Sequence, residues 1–214
     1  MTFLIVIAGW IFTLCLHEFS HALVALWGGD WTVREKGYLT FNPLRYTHPV
    51  YSLLLPMIFL LLGGIGLPGG AVYIETWRLR SRRWVSATSL AGPMSNLLMA
   101  IVLAIILNVA HVTASGIWPG LAFLALLQVM AVILNLIPVP PFDGYGVIEP
   151  FLKSDLRMRV DQIRPALTLI VFFALWYLPF VRTLFWGSVS LIANLLGLPL
   201  QLAVLGLDQF QFWN

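Results

Sequence analysis

Residues 14–27, LCLHEFSHALVALW, place two histidines and one glutamate inside an otherwise apolar run. A helix of about 20 apolar residues crosses the roughly 30 Å hydrocarbon core of a bilayer, and this run is long enough to do so. Each ionisable group near the centre of such a helix costs about 2.5–3.5 kcal/mol on insertion scales, and those that occur are usually functional. The segment therefore predicts a chemical site inside a membrane helix.

The composition also indicates a membrane protein. Of the 214 residues 60% are hydrophobic and 10% are charged, whereas ordinary soluble domains have about 25% charged residues. We predict an all-α polytopic membrane protein with about five to six transmembrane helices, forming one integral membrane domain over residues 1–214. The first apolar run lacks the basic start and cleavage site of a signal peptide, so we expect it to be retained. No pattern of basic and aromatic residues suggests nucleic acid binding.

The Lys and Arg residues bear on how the chain crosses the membrane. The apolar run at 49–67 is interrupted by proline and glycine, and it either spans or is re-entrant. If it spans, the basic residues divide between the two sides. If it is re-entrant, eleven of the twelve lie on one side, the asymmetry expected of a cytoplasmic face. We therefore favour a re-entrant segment, with helix-length runs at about 3–27, 85–110, 117–137, 166–186 and 188–206.

The motif HEFSH at 17–21 has the spacing of a metal site. His17 and His21 are four residues apart and share one face of a helix, so both imidazoles can reach one metal ion. Glu18 is rotated by about 100° from His17; it is placed to take a proton from water, the role of this glutamate in zinc metalloproteases. The alternative is a pair of packed core histidines with a paired glutamate, which the apolar setting disfavours.

A catalytic zinc site usually has three protein ligands, so a third is needed. His48 beside Pro49 and His111 at a helix end are candidates, but Asp143 is the better one. It follows a long apolar helix in NLIPVPPFDGYG (135–146), where prolines break helical hydrogen bonding, and broken membrane helices commonly mark binding sites. With a re-entrant segment, the first helix and the 117–137 helix run in the same direction, so Asp143 can meet the histidines.

These residues resemble the site-2 protease family of intramembrane zinc metalloproteases. HEFSH at 17–21 looks like its zinc-and-base motif, and NLIPVPPFDG at 135–144 fits its N-x-x-P-x-P-x-x-D-G pattern. AGPMSN at 91–96 is similar to the Gly-Pro helix start found between the two motifs. The resemblance covers about residues 10–150.

The resemblance implies roles for six residues. Glu18 activates the water, Asn135 holds the substrate backbone or the developing oxyanion, and Asn96 assists in substrate binding. The β-prone stretches 31–41 and 71–77 form edge strands beside the site, to which an unwound substrate adds as a strand. The implied ligands of Zn²⁺ are His17, His21 and Asp143.

The implied function is an intramembrane zinc endopeptidase that hydrolyses peptide bonds in or near transmembrane segments of membrane-protein substrates, in regulated intramembrane proteolysis, with these substrates and the lipid bilayer as its partners. We expect a prokaryotic cell membrane, with the site toward the cytoplasmic side. Two departures concern the substrate-gating loop, because compact relatives often have an acidic residue at the place of His48 and a proline-rich stretch at 71–77. No PDZ-like domain is seen. A membrane metal transporter and a catalytically silent relative remain alternatives.

Overall fold

The computed structural model describes residues 1–46 and 72–213, which are mostly helical. Short 3₁₀ turns lie at Pro43–Arg45, Thr76–Arg78 and Glu149–Phe151. Within the described ranges the α-helices are, in chain order, α1 (Thr2–Gly28), α2 (Thr32–Glu35), α3 (Arg82–Val109), α4 (Trp118–Asn135), α5 (Asp143–Ile148), α6 (Ser154–Gln162), α7 (Arg164–Tyr177), α8 (Pro179–Leu195) and α9 (Leu200–Phe210).

Three of these helices, α1, α3 and α4, are long and apolar enough to cross a membrane. Two bent pairs, α6 with α7 at 70° and α8 with α9 at 120°, raise the number of candidate spans in the described residues to five at most. The predicted single run at 166–186 is wrong, because Pro179 begins a new helix. Leu178 before it has an extended backbone (φ −91°, ψ 111°), the conformation that a following proline favours.

The three long helices pack with a fixed polarity. Gln128 of α4 donates to the Thr13 hydroxyl of α1 at 3.0 Å, and the chain starts of both helices also meet, since Gly120 lies against Thr2 and Ile5. These two helices are therefore parallel. In α3 the order is reversed, because His21 bonds to Thr88 and His17 to Asn96.

One end of the bundle therefore carries the C-termini of α1 and α4 and the N-terminus of α3. There the Arg80 amide donates to the Gly28 carbonyl at 2.9 Å. The helix termini at this end are Gly28, Arg82 and Asn135. We call it the basic end, because Arg80 and Arg82 lie here. Between the long helices, α4 is deeply enclosed: fully buried side chains along it include Phe123, Leu127, Met130 and Leu134. The last residue of α4, Asn135, is 3% exposed, so this helix ends inside the protein.

No β-strand forms in the described residues, so the strands predicted at 31–41 and 71–77 are wrong as far as these stretches are described. The first contains α2 and a turn. In the second, residues 72–75 belong to no strand or helix, and side chains accept two of their amide N–H groups. The Val72 amide donates to the Glu18 carboxylate at 3.0 Å and the Glu75 amide to that of Asp30 at 2.8 Å. No neighbouring strand is needed for these donors.

The predicted re-entrant segment at 49–67, and His48 before it, lie outside the described residues. Both flanks of the gap contact the middle of α1. The Tyr46 hydroxyl donates to the Cys15 carbonyl at 3.2 Å, and Val72 bonds to Glu18. The described chain thus ends and resumes at a similar level of α1.

Candidate metal centre

Three side chains converge between α1 and the start of α5. The Nε2 atoms of His17 and His21 are 3.0 Å apart. Asp143 Oδ2 lies 3.2 Å from His17 Nε2, and Oδ1 lies 3.4 Å from His21 Nε2. Ligand atoms from all three lie within 4.8 Å of one another. The structure therefore brings together the three residues named from the sequence as metal ligands.

Asp143 reaches the histidines because the chain turns back after α4. The helix ends at Asn135, and the proline-rich segment that follows includes a cis peptide bond between Pro140 and Pro141. Gly144 then lies against the backbone of Leu136, where a Cβ atom would overlap the Leu136 carbonyl oxygen. A glycine at this position permits the close approach that places the neighbouring carboxylate in the site.

Each imidazole ring is oriented by a hydrogen bond to its Nδ1 atom, on the side of the ring away from the metal centre. His17 Nδ1 lies 3.1 Å from the Asn96 side-chain oxygen, and His21 Nδ1 lies 2.7 Å from the Thr88 carbonyl. Since both partners are acceptors, each Nδ1 carries the proton, and each neutral ring presents the lone pair of Nε2 to the centre. Such partners fix the ring and raise the basicity of a metal-binding histidine.

Gly92 of α3 lies directly beside the two rings. A Cβ atom at this position would overlap His17 Nε2 and His21 Nε2. Pro93 follows it inside the helix rather than at a helix start, because α3 begins at Arg82. Without an N–H, this proline leaves the Ser89 carbonyl, one residue after Thr88, without its helical donor. The motif resembling a helix start is thus the wall of the site.

The donor set fits zinc. Ligands held tetrahedrally at zinc distances of about 2.0–2.2 Å lie about 3.3–3.6 Å from one another, close to the separations between His17, His21 and Asp143. The Oδ2 atom of Asp143 is buried and has no hydrogen-bond donor among the described residues. Nε2 of His17, Nε2 of His21 and the Asp143 carboxylate are thus three acceptors with no proton between them. A bound cation would satisfy all three.

A cavity of about 420 Å³ opens at this centre. Glu18 and Asn135 line it, and their side chains are 3% exposed. The Asn135 amide lines the cavity and makes no hydrogen bond within the described residues. Asn96 does not line this cavity, and the bond to His17 occupies its oxygen. The substrate contact that the resemblance implies for Asn96 would therefore be made by its side-chain nitrogen.

The remaining histidine candidate in the described residues lies far from the centre. His111 is exposed just beyond the C-terminal end of α3, whereas the site is near the N-terminal third of that helix. Because α3 rises about 1.5 Å per residue, His111 is roughly 20 Å along the helix from Asn96. His111 therefore cannot supply a ligand here.

Segment 72–75 forms one wall of the cavity and is held by side chains that sequence analysis did not identify. The fully buried carboxylate of Asp30 accepts from the Glu75 amide and from Thr32. Hydrogen bonds from Arg78 and Lys36 hold the pKa of the Glu75 carboxyl below its usual range, so these ion pairs persist at neutral pH. In the sequence, the one feature that could have indicated a role for Asp30 is its position directly after the two glycines that end α1, Gly28 and Gly29.

Comparison with known proteins yields curated relatives. "Putative zinc metalloprotease Rip2" of Mycobacterium tuberculosis is 42% identical over 216 residues, spanning 99% of this chain and 82% of that protein. The Rip2 protein of Mycolicibacterium smegmatis is also 42% identical, over 213 residues with the same coverage. The chain belongs to this zinc metalloprotease family. "Putative zinc metalloprotease YwhC" of Bacillus subtilis is 28% identical over 192 residues, 84% of this chain and 83% of that protein.

No family model matches the chain. No solved structure matches it either. Membership of the zinc metalloprotease family identifies Zn²⁺ as the cofactor. The convergence of His17, His21 and Asp143 agrees with this cofactor. Family membership and the long apolar helices together identify a membrane metalloprotease.

Proposed function

We propose that this chain is an intramembrane endopeptidase of the site-2 protease type, which hydrolyses peptide bonds in or near transmembrane segments of membrane-protein substrates and acts in regulated intramembrane proteolysis. The observation that carries the proposal is one cavity, between apolar helices, onto which His17, His21, Asp143 and Glu18 all open. His17 and His21 lie 11 and 7 residues before the end of α1, about 10–17 Å in from the basic end.

The proposed chemistry assigns a separate task to each residue. His17, His21 and Asp143 would hold Zn²⁺. When bound, zinc acts as a Lewis acid toward the substrate carbonyl and lowers the pKa of water. Glu18, one position after His17 and facing the same cavity, takes the proton of the attacking water and passes it to the leaving amine.

Asn135 is proposed to orient the substrate. Its amide lines the cavity and can donate to the carbonyl oxygen of the scissile bond, where negative charge develops. A helical substrate hides its peptide bonds, so the segment at the site must be unwound and extended before Asn135 can reach it. Besides assisting in substrate binding, Asn96 is proposed to orient the His17 ring through its hydrogen bond to Nδ1.

The basic end is proposed to face the cytoplasm of a prokaryotic cell. Eleven of the twelve Lys and Arg residues belong to segments that adjoin this end, and the exception is Arg182. Such a bias marks the cytoplasmic side of membrane proteins. Bacterial relatives are consistent with this placement. The cut would then fall in the cytoplasmic half of the substrate helix.

A metal transporter is less well supported. Transport needs ligands at several depths along a path, whereas a single group of metal-binding side chains occurs in the part of the chain that the structure describes. Transport also leaves Glu18 without a task. A silent relative is disfavoured by the intact set of ligands and base.

The test is cleavage of a panel of transmembrane substrates by purified protein in detergent, with Glu18→Gln and Glu35→Gln compared. Gln has nearly the shape of Glu but cannot take a proton, so Glu18→Gln should lose activity by about 10²-fold or more. It should still bind one zinc. Glu35 is exposed on α2, so Glu35→Gln should match the wild type.

Full activity of Glu18→Gln would refute the assignment of the base. If zinc-loaded wild type cuts no member of the panel, and liposomes containing it pass zinc, the transporter replaces the protease. Substrate cleavage by the wild type that is lost on zinc removal and restored on its return would support the proposal.

A further inference from the structure

A second cavity, of about 690 Å³, lies at the basic end beside the metal centre. One wall is formed by the segment that leads into α3, with Trp77 and Arg82. The opposite wall comes from the chain after α5, with Glu149, Arg157 and Met158. This volume falls within the range of about 300–1,000 Å³ typical of ligand pockets. No role proposed so far uses it.

The two cavities adjoin. Thr76 and Val85 line both of them, so a chain that extends out of the metal centre past these two residues enters the second cavity. The cavity also lies outward of the metal centre along α3, because Arg82 begins the helix whereas Thr88 and Gly92 flank the histidines. An extended polypeptide advances about 3.3 Å per residue, so a few residues suffice to pass from one cavity into the other.

The charges on the walls indicate what the cavity accepts. Arg157 Nε lies 2.7 Å from Glu149 Oε1, and Arg164 lies 2.7 Å from Asp161. Both carboxylates of the lining are therefore neutralised. Arg82 is exposed and has no acidic partner among the described residues. The cavity thus offers one uncompensated positive charge.

Apolar side chains accompany this charge. Trp77 is 74% exposed and Met158 is 58% exposed, although both line a concave surface where a ligand could cover them. A polypeptide with an acidic residue flanked by apolar ones matches this combination. A lipid headgroup would match the charge alone, and it would not use the opening toward the metal centre.

We propose that the second cavity binds the juxtamembrane stretch of the polypeptide whose scissile bond lies at the metal centre, with an acidic side chain of that stretch paired to Arg82. This inference rests on the proposed protease function and adds a determinant of substrate choice to it. Substrates would then be selected partly outside the membrane, by residues that are not themselves cut.

The kinetic test uses substrates with one transmembrane sequence and either Asp or Lys in the juxtamembrane stretch. The wild type should prefer the Asp substrate by about two- to fivefold in kcat/KM, the range of an exposed ion pair. Arg82→Glu should reverse this preference mainly through KM. Arg83→Glu makes the same charge change on the next residue, which does not line the cavity, and should keep the wild-type preference.

A binding test separates this inference from the protease proposal. A photoreactive side chain at Met158 in the Glu18→Gln variant should crosslink to the juxtamembrane stretch of the substrate, and one at the exposed Arg159 outside the lining should not. Equal effects of the two Arg variants, or crosslinks from position 158 to lipid alone, would overturn the inference. If the wild type cuts no substrate, the protease proposal fails, while the crosslink still reports whether the cavity holds the polypeptide.

Discussion

At position 92 the absence of a side chain leaves room for the two imidazoles that face Asp143. A Cβ atom there would overlap His17 Nε2 and His21 Nε2, and neither ring can retreat easily, because each is bonded through Nδ1 to a fixed partner. In a packed interior such an overlap is relieved by displacement of the rings. The geometry of the site therefore depends on a residue with no chemistry of its own.

Gly92→Ala should accordingly weaken zinc binding by at least about tenfold and reduce proteolysis in parallel, because the rings must move. Zinc retained during titration with a chelator measures the effect, and circular dichroism checks the helices. Gly187→Ala is the matched control, since nothing lies within 4 Å of the added Cβ. Wild-type zinc affinity in Gly92→Ala would contradict the proposed geometry.

Asn96 acts at the same scale through a single hydrogen bond. Asn96→Ala should lower zinc affinity by about 10- to 100-fold, the usual effect of losing the partner of a ligating histidine. Asn96→Asp keeps an acceptor for His17 Nδ1 and should restore most of that affinity. Asn108→Ala, 12 residues further along α3, removes a comparable bond to the Ala104 carbonyl and should leave zinc binding unchanged. Equal losses in the Ala and Asp variants would argue against the orienting role.

Among the elements, segment 72–75 differs most from its sequence-based expectation. Its β-branched and aromatic residues are typical of a strand, yet its amide donors bond to carboxylates of α1 and of the loop after it. Side chains from 45 and 54 residues earlier in the chain supply these acceptors. No local pattern reports contacts at such separations, and therefore the strand prediction failed here.

Asp30→Ala should loosen this segment. The bond from the Glu75 amide goes to a buried carboxylate, and such bonds contribute about 1.5–3 kcal/mol, so hydrogen exchange of that amide should speed up by about tenfold or more. Thr32→Val removes a different donor to the same carboxylate and leaves the Glu75 bond in place, so exchange at Glu75 should stay slow. Unchanged exchange in Asp30→Ala would show that the segment is held by other contacts.

For the whole molecule, the parallel arrangement of α1 and α4 is what allows Asp143 to meet His17 and His21. The ends that carry His21 and Asn135 point the same way, and the turn after α4 returns Asp143 to the histidines. If the helices were antiparallel, Asp143 would emerge at the opposite end. The same polarity places the basic residues of several loops together at the basic end.

Thiol labelling tests this polarity in cells. Ser154→Cys, in α6 next to the basic end, should react with a membrane-impermeant reagent only from the cytoplasmic side. Ser115→Cys, exposed between α3 and α4, should react only from the outside. The native Cys15 is buried and should give little background. Labelling of both positions from one side would contradict the arrangement.

The sequence by itself determined the helical membrane class, the pairing of His17 with His21 and the choice of Asp143, because helical period and proline breaks are local properties of the chain. Tertiary structure alone decided the packing of Gly92 against the rings, the partners Asn96 and Thr88, and the hold of Asp30 on segment 72–75. These contacts join residues 45 to 79 positions apart, and their formation depends on how the helices pack rather than on any repeating pattern in the chain.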